Sequence, residues 1–242
     1  AVGYTNAGTC EFLLDAAGDF YFLEMNTRLQ VEHPVTEMVT GLDIVIAQLA
    51  IAQGEALGPE FDNVEPRGHA IEVRLYAEDP FRKFAPSPGK IQRLRLPQGP
   101  GVRNDAGVFG GSEISIHYDP MIAKLIVWGR DRTESLQRLA RAIDELRIVG
   151  IRTNVPLFQA LLANADFRAA RFDIHWLDRV LESGELTAMG GDETPEIALI
   201  AAAIVHFERS QRQVSELPQG AAHRGGWRSA ARNAALRRGG RN

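Results

Sequence analysis

The sequence is organised around the stretch EMNTRLQVEHPVTE, which occupies residues 24–37. Just before it, residues 10–15 and 20–25 are rich in aromatic and aliphatic side chains and are separated by Ala-Ala-Gly-Asp. This pattern predicts a β-hairpin with residues 16–19 as its loop. If Asp15 faces Phe20 across that loop, antiparallel pairing places Glu11 directly opposite Glu24.

Two carboxylates that face each other across a hairpin repel, and a stable fold tolerates them when a cation lies between them. Asn26 follows Glu24 by two residues, so its amide points to the same face of the strand. Carboxylate and amide oxygens suit Mg²⁺, which uses one or two protein carboxylates together with phosphate oxygens. We therefore predict a metal site at Glu11, Glu24 and Asn26. The alternative is a hairpin face whose carboxylates spread into water.

Beyond the hairpin the alternation of polar side chains continues at Asn26, Arg28, Gln30 and Glu32. An extended chain would place all four on one face. There, an arginine beside a carboxylate can hold an anion next to a proton acceptor. An exposed edge strand with paired charges remains the alternative. A second alternating run, residues 71–76, contains Arg74, and by itself it indicates an ordinary half-buried strand.

The rest of the chain predicts an α+β fold. Pro34 suits the first turn of a helix, and Asp43 caps an apolar helix over residues 44–53. Glycine and proline separate four predicted strands from one another, at residues 69–77, 90–96, 101–106 and 120–128. Helical patterns follow at residues 133–147, 155–163 and 174–182, and Thr194 caps another that runs to about residue 210. We divide the chain into residues 1–57, a linker at 58–66, a domain at 67–183, and a linker helix with an Arg-rich tail at 184–242.

Composition limits the function classes. A formal net charge of −4 and a pI near 5.9 give no basic field for nucleic acid, although the tail is rich in arginine. Cys10 is the single cysteine, so no intrachain disulfide can form and a reducing compartment fits. The longest apolar run, residues 197–207, is shorter than the roughly 20 residues that span a bilayer. We expect a cytoplasmic protein without nucleic-acid or membrane partners.

Several motifs, in order along the chain, resemble those of biotin-dependent carboxylases. Residues 7–13 and 24–37 resemble the segment that contains the signature of that family. Four further stretches resemble its C-terminal domain, at residues 68–74, 86–91, 118–125 and 150–154. The resemblance covers about residues 1–180 and identifies the chain as a member of the biotin carboxylase family, in the ATP-grasp superfamily. It implies the C-terminal part of an ATP-grasp domain, then a mainly antiparallel β biotin carboxylase C-terminal domain with helices, a helical linker and an irregular tail.

The resemblance also implies roles for the residues of the signature segment. By it, the predicted metal site binds the Mg²⁺ or Mn²⁺ that bridges the phosphates of ATP. Arg28, Gln30 and the backbone at Val31 hold bicarbonate, and Glu32 is the base that deprotonates bicarbonate for attack on the γ-phosphate. Arg74 holds the ureido oxygen of biotin and stabilises its enolate. The implied catalytic residues are thus Arg28, Glu32 and Arg74.

We add the hypothesis that Asp119 positions Arg74 through an ion pair. The implied activity is ATP-dependent carboxylation of biotin on a carrier protein, from bicarbonate through carboxyphosphate, as part of an acyl-CoA carboxylase. Implied partners are a second copy in a homodimer, a biotin carboxyl carrier domain and a carboxyltransferase subunit. The family's glycine-rich ATP lid and its biotinylated Met-Lys-Met motif do not occur in this sequence, so we expect the isolated chain to be inactive.

Two other functions stay open on the sequence. Other ATP-grasp ligases, such as the carbamoyl-phosphate-forming synthetases, share the arrangement of Glu11 with a Glu-x-Asn motif. The second domain, with Arg74 and the motif at residues 118–125, argues against such a ligase. A non-catalytic module that docks partner subunits through its C-terminal domain and helical tail is the other alternative.

Overall fold

The computed structural model describes residues 3–186 and 204–205. The chain divides into two units, Ala1–Gly190 and Gly191–Asn242. In the first unit, α-helices combine with short antiparallel sheets, as the sequence predicts. Apart from residues 204 and 205, which are helical, the predicted linker helix and irregular tail lie outside the described residues.

The first unit contains seventeen helices and strands in its described part, together with two 3₁₀ turns at Pro59–Phe61 and Pro80–Arg82. In chain order they are β1 (Thr9–Leu14), β2 (Phe20–Asn26), α1 (His33–Thr40), α2 (Ile44–Ala52), β3 (His69–Tyr76), β4 (Glu78–Asp79), β5 (Ala85–Pro86), β6 (Gly89–Lys90), β7 (Arg93–Arg95), β8 (Val102–Ala106), β9 (Glu113–Ile114), β10 (Met121–Gly129), α3 (Arg132–Glu145), β11 (Arg147–Val149), α4 (Val155–Ala163), α5 (Ala165–Arg168) and α6 (Trp176–Ser183).

The β1–β2 hairpin changes register along its length. Glu11 pairs with Glu24, as predicted, but Leu14 pairs with Phe20 near the turn. The prediction that Asp15 faces Phe20 is therefore wrong. Asp15 is held in the turn because its carboxylate accepts hydrogen bonds from the backbone N–H groups of Ala17 and Asp19.

A β-bulge reconciles the two registers. The shift falls between Glu11 and Phe12, which leaves Leu23 as an extra residue on β2. The bulge re-aims the side chains that follow it, since an extra residue inverts the alternation of a strand. Phe22 consequently lies beside Phe12 in an edge-to-face contact, whereas Glu24, two positions later, shares a face with Glu11.

Two helices follow the hairpin and meet at a sharp bend. Pro34 lies in the first turn of α1, and Gly41 ends that helix with a left-handed backbone conformation (φ 77°) that glycine adopts without strain. The Asp43 carboxylate accepts a hydrogen bond from Ile46 N and caps α2, as predicted. Within the described residues, no single helix is long and apolar enough to cross a membrane; α1 and α2 pass that test only together, with a bend of 101° between them.

A three-stranded antiparallel sheet in the order β3-β10-β8 forms the centre of the following region. Val73 and Leu75 of β3 are buried, and they alternate with the more polar residues of that strand, as predicted. Helix α3 covers the apolar face of the sheet with Leu139 and Ile143. The opposite, more polar face of the sheet lies toward α1, which contacts β3 and β10.

Two predicted elements are divided differently in the structure. The predicted strand at residues 90–96 is two short strands, because Ile91 N donates to Ser112 O whereas Gln92 N donates to Val149 O. The chain thus exchanges one strand partner for another within two residues. The predicted helix at residues 133–147 ends at Glu145, since Arg147–Val149 pairs with β7 instead.

Asn154 fixes the backbone of β3 from the side. Its Oδ1 accepts a hydrogen bond from Tyr76 N at 2.9 Å, and its Nδ2 donates to Arg74 O at 2.9 Å. Asn154 is buried, so the amide replaces water for two backbone groups of the strand. The backbone of Arg74 is thereby held in place.

Replacing Asn154 with alanine should destabilise the chain by about 2–4 kcal/mol, because two buried backbone groups lose their partners at once. Urea unfolding followed by circular dichroism measures this change. The matched control is Gln98→Ala, which removes an exposed amide and should change stability by less than about 0.5 kcal/mol. Equal effects of the two substitutions would contradict the stabilising role of the two Asn154 hydrogen bonds.

Candidate active site

The three predicted metal ligands lie together at the open end of the hairpin. Asn26 Nδ2 donates to Glu11 Oε1 at 2.8 Å and to Glu24 Oε1 at 3.1 Å. The positive end of the amide dipole thus offsets the repulsion between the two carboxylates. The structure brings these residues together as the register predicts, and their role as metal ligands stays a prediction.

The donor set fits a hard divalent cation. Among the described residues, no cluster of three or more His, Cys, Asp or Glu side chains could hold a metal ion. A cation at the hairpin would therefore take two carboxylates and one amide oxygen from the protein, and other oxygens from phosphate or water. That division of ligands is the one that Mg²⁺ typically uses.

Arg28 connects the hairpin to a small cleft. Its Nη1 donates to Gln30 Oε1 at 2.5 Å, and its Nη2 donates to Asn26 Oδ1 at 3.2 Å. The cleft has a volume of about 350 Å³, and Arg28, Gln30 and Glu32 are among the residues that line it. A guanidinium and a carboxylate thus face one space that is large enough for a small anion.

The prediction that residues 26–32 form one extended segment is correct only in part. Strand β2 ends at Asn26, and residues 31 and 32 form a turn that leads into α1. His33 N donates to Gln30 O at 3.3 Å, which closes this turn. Glu32 stands at the N-cap of α1 but makes no side-chain cap hydrogen bond, so its carboxylate is available to another segment.

That segment is β3. Arg74 Nη2 donates to Glu32 Oε2 at 2.8 Å, across 42 positions of sequence, and Arg74 Nε lies 3.7 Å from Glu72 Oε1. The predicted base and the predicted biotin-side arginine are therefore in direct contact. The hypothesis that Asp119 pairs with Arg74 is wrong. Asp119 Oδ1 instead accepts a hydrogen bond from Met121 N at 2.8 Å.

Lys124 is a residue that the sequence prediction left without a role. Its Nζ donates to Val31 O at 3.0 Å and lies 3.5 Å from Asp105 Oδ2. The backbone at Val31, predicted to contact bicarbonate, is thus anchored to the middle of β10. A usable signal was present, because Lys124 is the one charged side chain within the otherwise apolar β10 strand.

A row of charges joins α1 to the sheet; Glu37 is buried, and Arg103 and Asp105 are partly buried. Arg103 Nη1 donates to Glu37 Oε2 at 2.6 Å, while its Nε and Nη2 hold both oxygens of Asp105 at 2.8 and 2.9 Å. Glu37 also accepts Ile44 N at the start of α2, at 2.8 Å. The hydrogen bond to Asp105, with that to Glu37, raises the pKa of Arg103 above its ordinary value despite its burial.

Asp105 is stabilised as a carboxylate by the same contacts. Burial alone would raise the pKa of Asp105, but the hydrogen bonds and charge of Arg103, together with Lys124, lower that pKa below its ordinary value. The folded chain therefore holds the Asp105 proton less tightly than the unfolded chain. The ionised carboxylate contributes stability above the unfolded pKa, near 3.8, and this contribution is lost as the pH falls through the folded pKa.

Asp105→Asn should therefore lower stability at pH 7 by about 1–3 kcal/mol, since Arg103 and Lys124 lose a charged partner. The difference between variant and wild type should shrink as the pH falls below 4. Urea unfolding at a series of pH values measures both effects. Asp62→Asn, at an exposed carboxylate that forms no ion pair in the described part of the chain, is the control and should give a small difference at every pH. A stability difference between Asp105→Asn and wild type that does not change with pH would contradict this role of the Asp105 charge.

Two family models match the chain. Residues 1–60 match the ATP-binding domain of the carbamoyl-phosphate synthase L chain, and residues 72–179 match the biotin carboxylase C-terminal domain. The Arg74–Glu32 contact joins these two matched segments. Fold and site thus define a class of chain in which part of an ATP-binding domain is followed by a biotin carboxylase C-terminal domain.

Known proteins narrow this class. A pyruvate carboxylase subunit of Methanothermobacter thermautotrophicus is 51% identical over 177 residues, which are 73% of this chain and 36% of that protein. Biotin carboxylase of Nostoc sp. is 52% identical over 166 residues, which are 69% of this chain and 37% of that protein. The chain belongs to the biotin carboxylase family and spans less than half the length of these two relatives.

A solved structure has the same fold. The biotin carboxylase domain dimer of 2-oxoglutarate carboxylase from Hydrogenobacter thermophilus, in complex with MgADP, ADP and bicarbonate, superposes with a TM-score of 0.72 at 43% identity. The match covers 76% of this chain and 40% of that one. The ligands belong to that structure.

Proposed function

We propose that this chain supplies the metal, bicarbonate and biotin-side residues of a biotin carboxylase. The reaction is ATP-dependent carboxylation of biotin on a carrier protein, from bicarbonate and through carboxyphosphate, as part of an acyl-CoA carboxylase. The observation that carries the proposal is the 2.8 Å contact of Arg74 with Glu32. It joins a candidate base on the ATP-binding segment to an arginine on the C-terminal sheet. The match of residues 72–179 disfavours the carbamoyl-phosphate-forming alternative.

The residues of the cleft divide the work on bicarbonate. Arg28 attracts the anion and is itself oriented by Gln30 and Asn26. Glu32 accepts the proton of bicarbonate, and the freed oxygen attacks the γ-phosphorus of ATP as ADP leaves. Arg74 lies within hydrogen-bond reach of Glu32, where it would stabilise negative charge that develops on the ureido oxygen of biotin.

Glu11, Glu24 and Asn26 would hold Mg²⁺ or Mn²⁺. When bound, the ion neutralises charge on the phosphates of ATP and lowers the barrier to phosphoryl transfer. The Asn26 amide keeps the two carboxylates close to each other. Because Asn26 Oδ1 accepts a hydrogen bond from Arg28 Nη2 at 3.2 Å, the amide would have to rotate to offer its oxygen to the ion.

The domain arrangement and the partners belong to the same proposal. Residues 1–57 would be the C-terminal part of an ATP-grasp domain, and residues 67–183 the biotin carboxylase C-terminal domain, with a linker helix and tail after them. The matched ranges of the two family models support the division near residues 58–66. A second copy, a carrier domain and a carboxyltransferase subunit would be its partners, in the cytoplasm.

A chimera tests the activity directly. The 166 matching residues of Nostoc biotin carboxylase are replaced with those of this chain, and ATP hydrolysis is measured with bicarbonate and free biotin. We expect hydrolysis that requires bicarbonate and rises with biotin. Glu32→Gln should reduce it by about 10²-fold or more, the usual contribution of a general base. The control is Glu55→Gln, at an exposed carboxylate outside the cleft.

A folded chimera that hydrolyses ATP with bicarbonate but does not respond to biotin would contradict the proposal and favour another ATP-grasp ligase. Folding is established separately, by gel filtration and by a thermal shift with MgADP. This keeps a misfolded chimera from being read as an inactive site.

The metal site makes a separate prediction in the same chimera. Glu24→Gln should raise the Mg²⁺ concentration needed for half-maximal activity by about tenfold, because the ion loses one of its two carboxylate ligands. Asp15→Asn, at the far end of the hairpin, is the control and should leave that concentration unchanged. Titration of ATP hydrolysis with Mg²⁺ at saturating bicarbonate measures both, and equal shifts would count against the site.

A further inference from the structure

Glu72 is a buried carboxylate to which the proposed reaction assigns no role. Its side chain is only 5% exposed, and neither carboxylate oxygen accepts a hydrogen bond from a protein group in the described part of the chain. Burial raises its pKa, an effect that the charges of Lys124 and Arg74 oppose. A buried carboxylate of this kind is costly unless a cation answers its charge.

Two cations lie near Glu72, Lys124 and Arg74, and their charges favour its ionised form. Among the described ion pairs, Arg74 Nε lies 3.7 Å from Glu72 Oε1, too far for a hydrogen bond. Lys124 sits nearby on the paired strand β10, but its ammonium is committed to Val31 O and Asp105. Glu72 is thus adjacent to a guanidinium that is turned toward Glu32.

Arg74 is anchored at its backbone, and its guanidinium is held by the ion pair with Glu32. Asn154 holds the Arg74 carbonyl, whereas 38% of the Arg74 side chain is exposed. The guanidinium therefore has two carboxylates within reach of one fixed backbone position, Glu32 at 2.8 Å and Glu72 at 3.7 Å. These two acids belong to different segments, and only Glu32 lines the cleft.

We propose that Glu72 is a positioning residue that receives Arg74 whenever Glu32 is neutral. The inference rests on the proposed function in one respect, that Glu32 accepts the proton of bicarbonate. When that proton moves onto Glu32, the ion pair with Arg74 loses its negative partner. Arg74 keeps its charge and closes the short remaining distance to Glu72, so the guanidinium stays at the edge of the cleft instead of turning into solvent.

The groups packed around Glu72 favour this exchange. Glu32 at the N-cap of α1 and His33 at its first position approach from one side, and Lys124 approaches from β10. Protonation of Glu32 removes a negative charge that disfavours the Glu72 carboxylate, and it frees Arg74 at the same moment. Both changes strengthen the Arg74–Glu72 pair.

Crystal structures of this chain and of its Glu32→Gln variant test the exchange without any assay of activity. Glutamine keeps the shape of a neutral Glu32, and the position is about half exposed, so the variant should fold. We expect the Arg74 nitrogen to Glu72 oxygen distance to fall from 3.7 Å to about 3 Å in Glu32→Gln. An Arg74 that turns into solvent in that variant would overturn the proposal.

A measurement in solution covers the case in which crystals do not form. Hydrogen exchange of the Arg74 Nε–H, followed by ¹⁵N NMR, should remain slow in Glu32→Gln and become at least about tenfold faster in Glu32→Gln/Glu72→Gln, because only the double variant removes both charged partners. Equal exchange rates in the single and double variants would show that Glu72 does not hold the guanidinium.

Kinetic constants of the chimera distinguish a positioning role of Glu72 from a merely structural role. Glu72→Gln should lower kcat for biotin-stimulated hydrolysis by about 10- to 100-fold and leave KM for ATP within about twofold, because a misplaced arginine affects the reacting geometry and not nucleotide binding. Glu72→Asp, which keeps the charge on a shorter side chain, should restore part of kcat. An unchanged kcat in a stable Glu72→Gln variant would overturn the positioning role.

The two proposals can fail separately. A chimera without a biotin response, combined with an Arg74 that moves to Glu72 in Glu32→Gln, would reject the carboxylase activity and support the exchange. A biotin-responsive chimera in which Arg74 never approaches Glu72 would reject the exchange alone.

Discussion

The ion pair between Glu37 and Arg103 is the constraint on which the site depends. Glu37 is almost fully buried, and each of its carboxylate oxygens is used: one by Arg103 of the sheet, the other by Ile44 N at the start of α2. A single side chain thus fixes α1 and α2 against β8. Because Glu32 immediately precedes α1, this attachment also determines where Glu32 meets Arg74.

From Arg103 the charges continue in alternating sign to Asp105 and Lys124, and they end at the Val31 carbonyl. Apolar side chains in these positions could give similar stability, since burying charges is costly. Charged groups, however, accept only partners of fixed geometry, which favours one relative placement of the hairpin segment and the sheet. Loss of one member leaves a partly buried neighbour without its partner, so the row acts as a unit.

The sequence could predict contacts within short segments much better than contacts between them. The prediction that Glu11 faces Glu24 is confirmed because two departures from the predicted register cancel. The turn holds one residue more than predicted, and the bulge adds Leu23 as an extra residue to β2. The Glu32–Arg74 contact spans 42 residues, and no local pattern encodes it. The family resemblance implied a role for each of these residues but not that they touch.

The prediction that Asp119 pairs with Arg74 is wrong for a local reason. Asp119 was expected to reach Arg74, but the backbone N–H of Met121, two residues away, competes successfully for its carboxylate. Short acidic side chains commonly bind nearby backbone in this way. Lys124 illustrates the converse, because a charged residue inside an apolar strand must find a partner, and its partner, Val31, could not be known before the fold.

The bulge in the hairpin has a consequence for how the chain can vary. It separates the tip of the hairpin, where Leu14 pairs with Phe20, from its base, where Glu11 pairs with Glu24. A one-residue insertion or deletion in the tip can be absorbed at Leu23, by losing the extra residue or by gaining another, without moving the carboxylates at the base. The aromatic tip is therefore free to change in length, and an alignment gap among relatives is expected there and not beside the ligands.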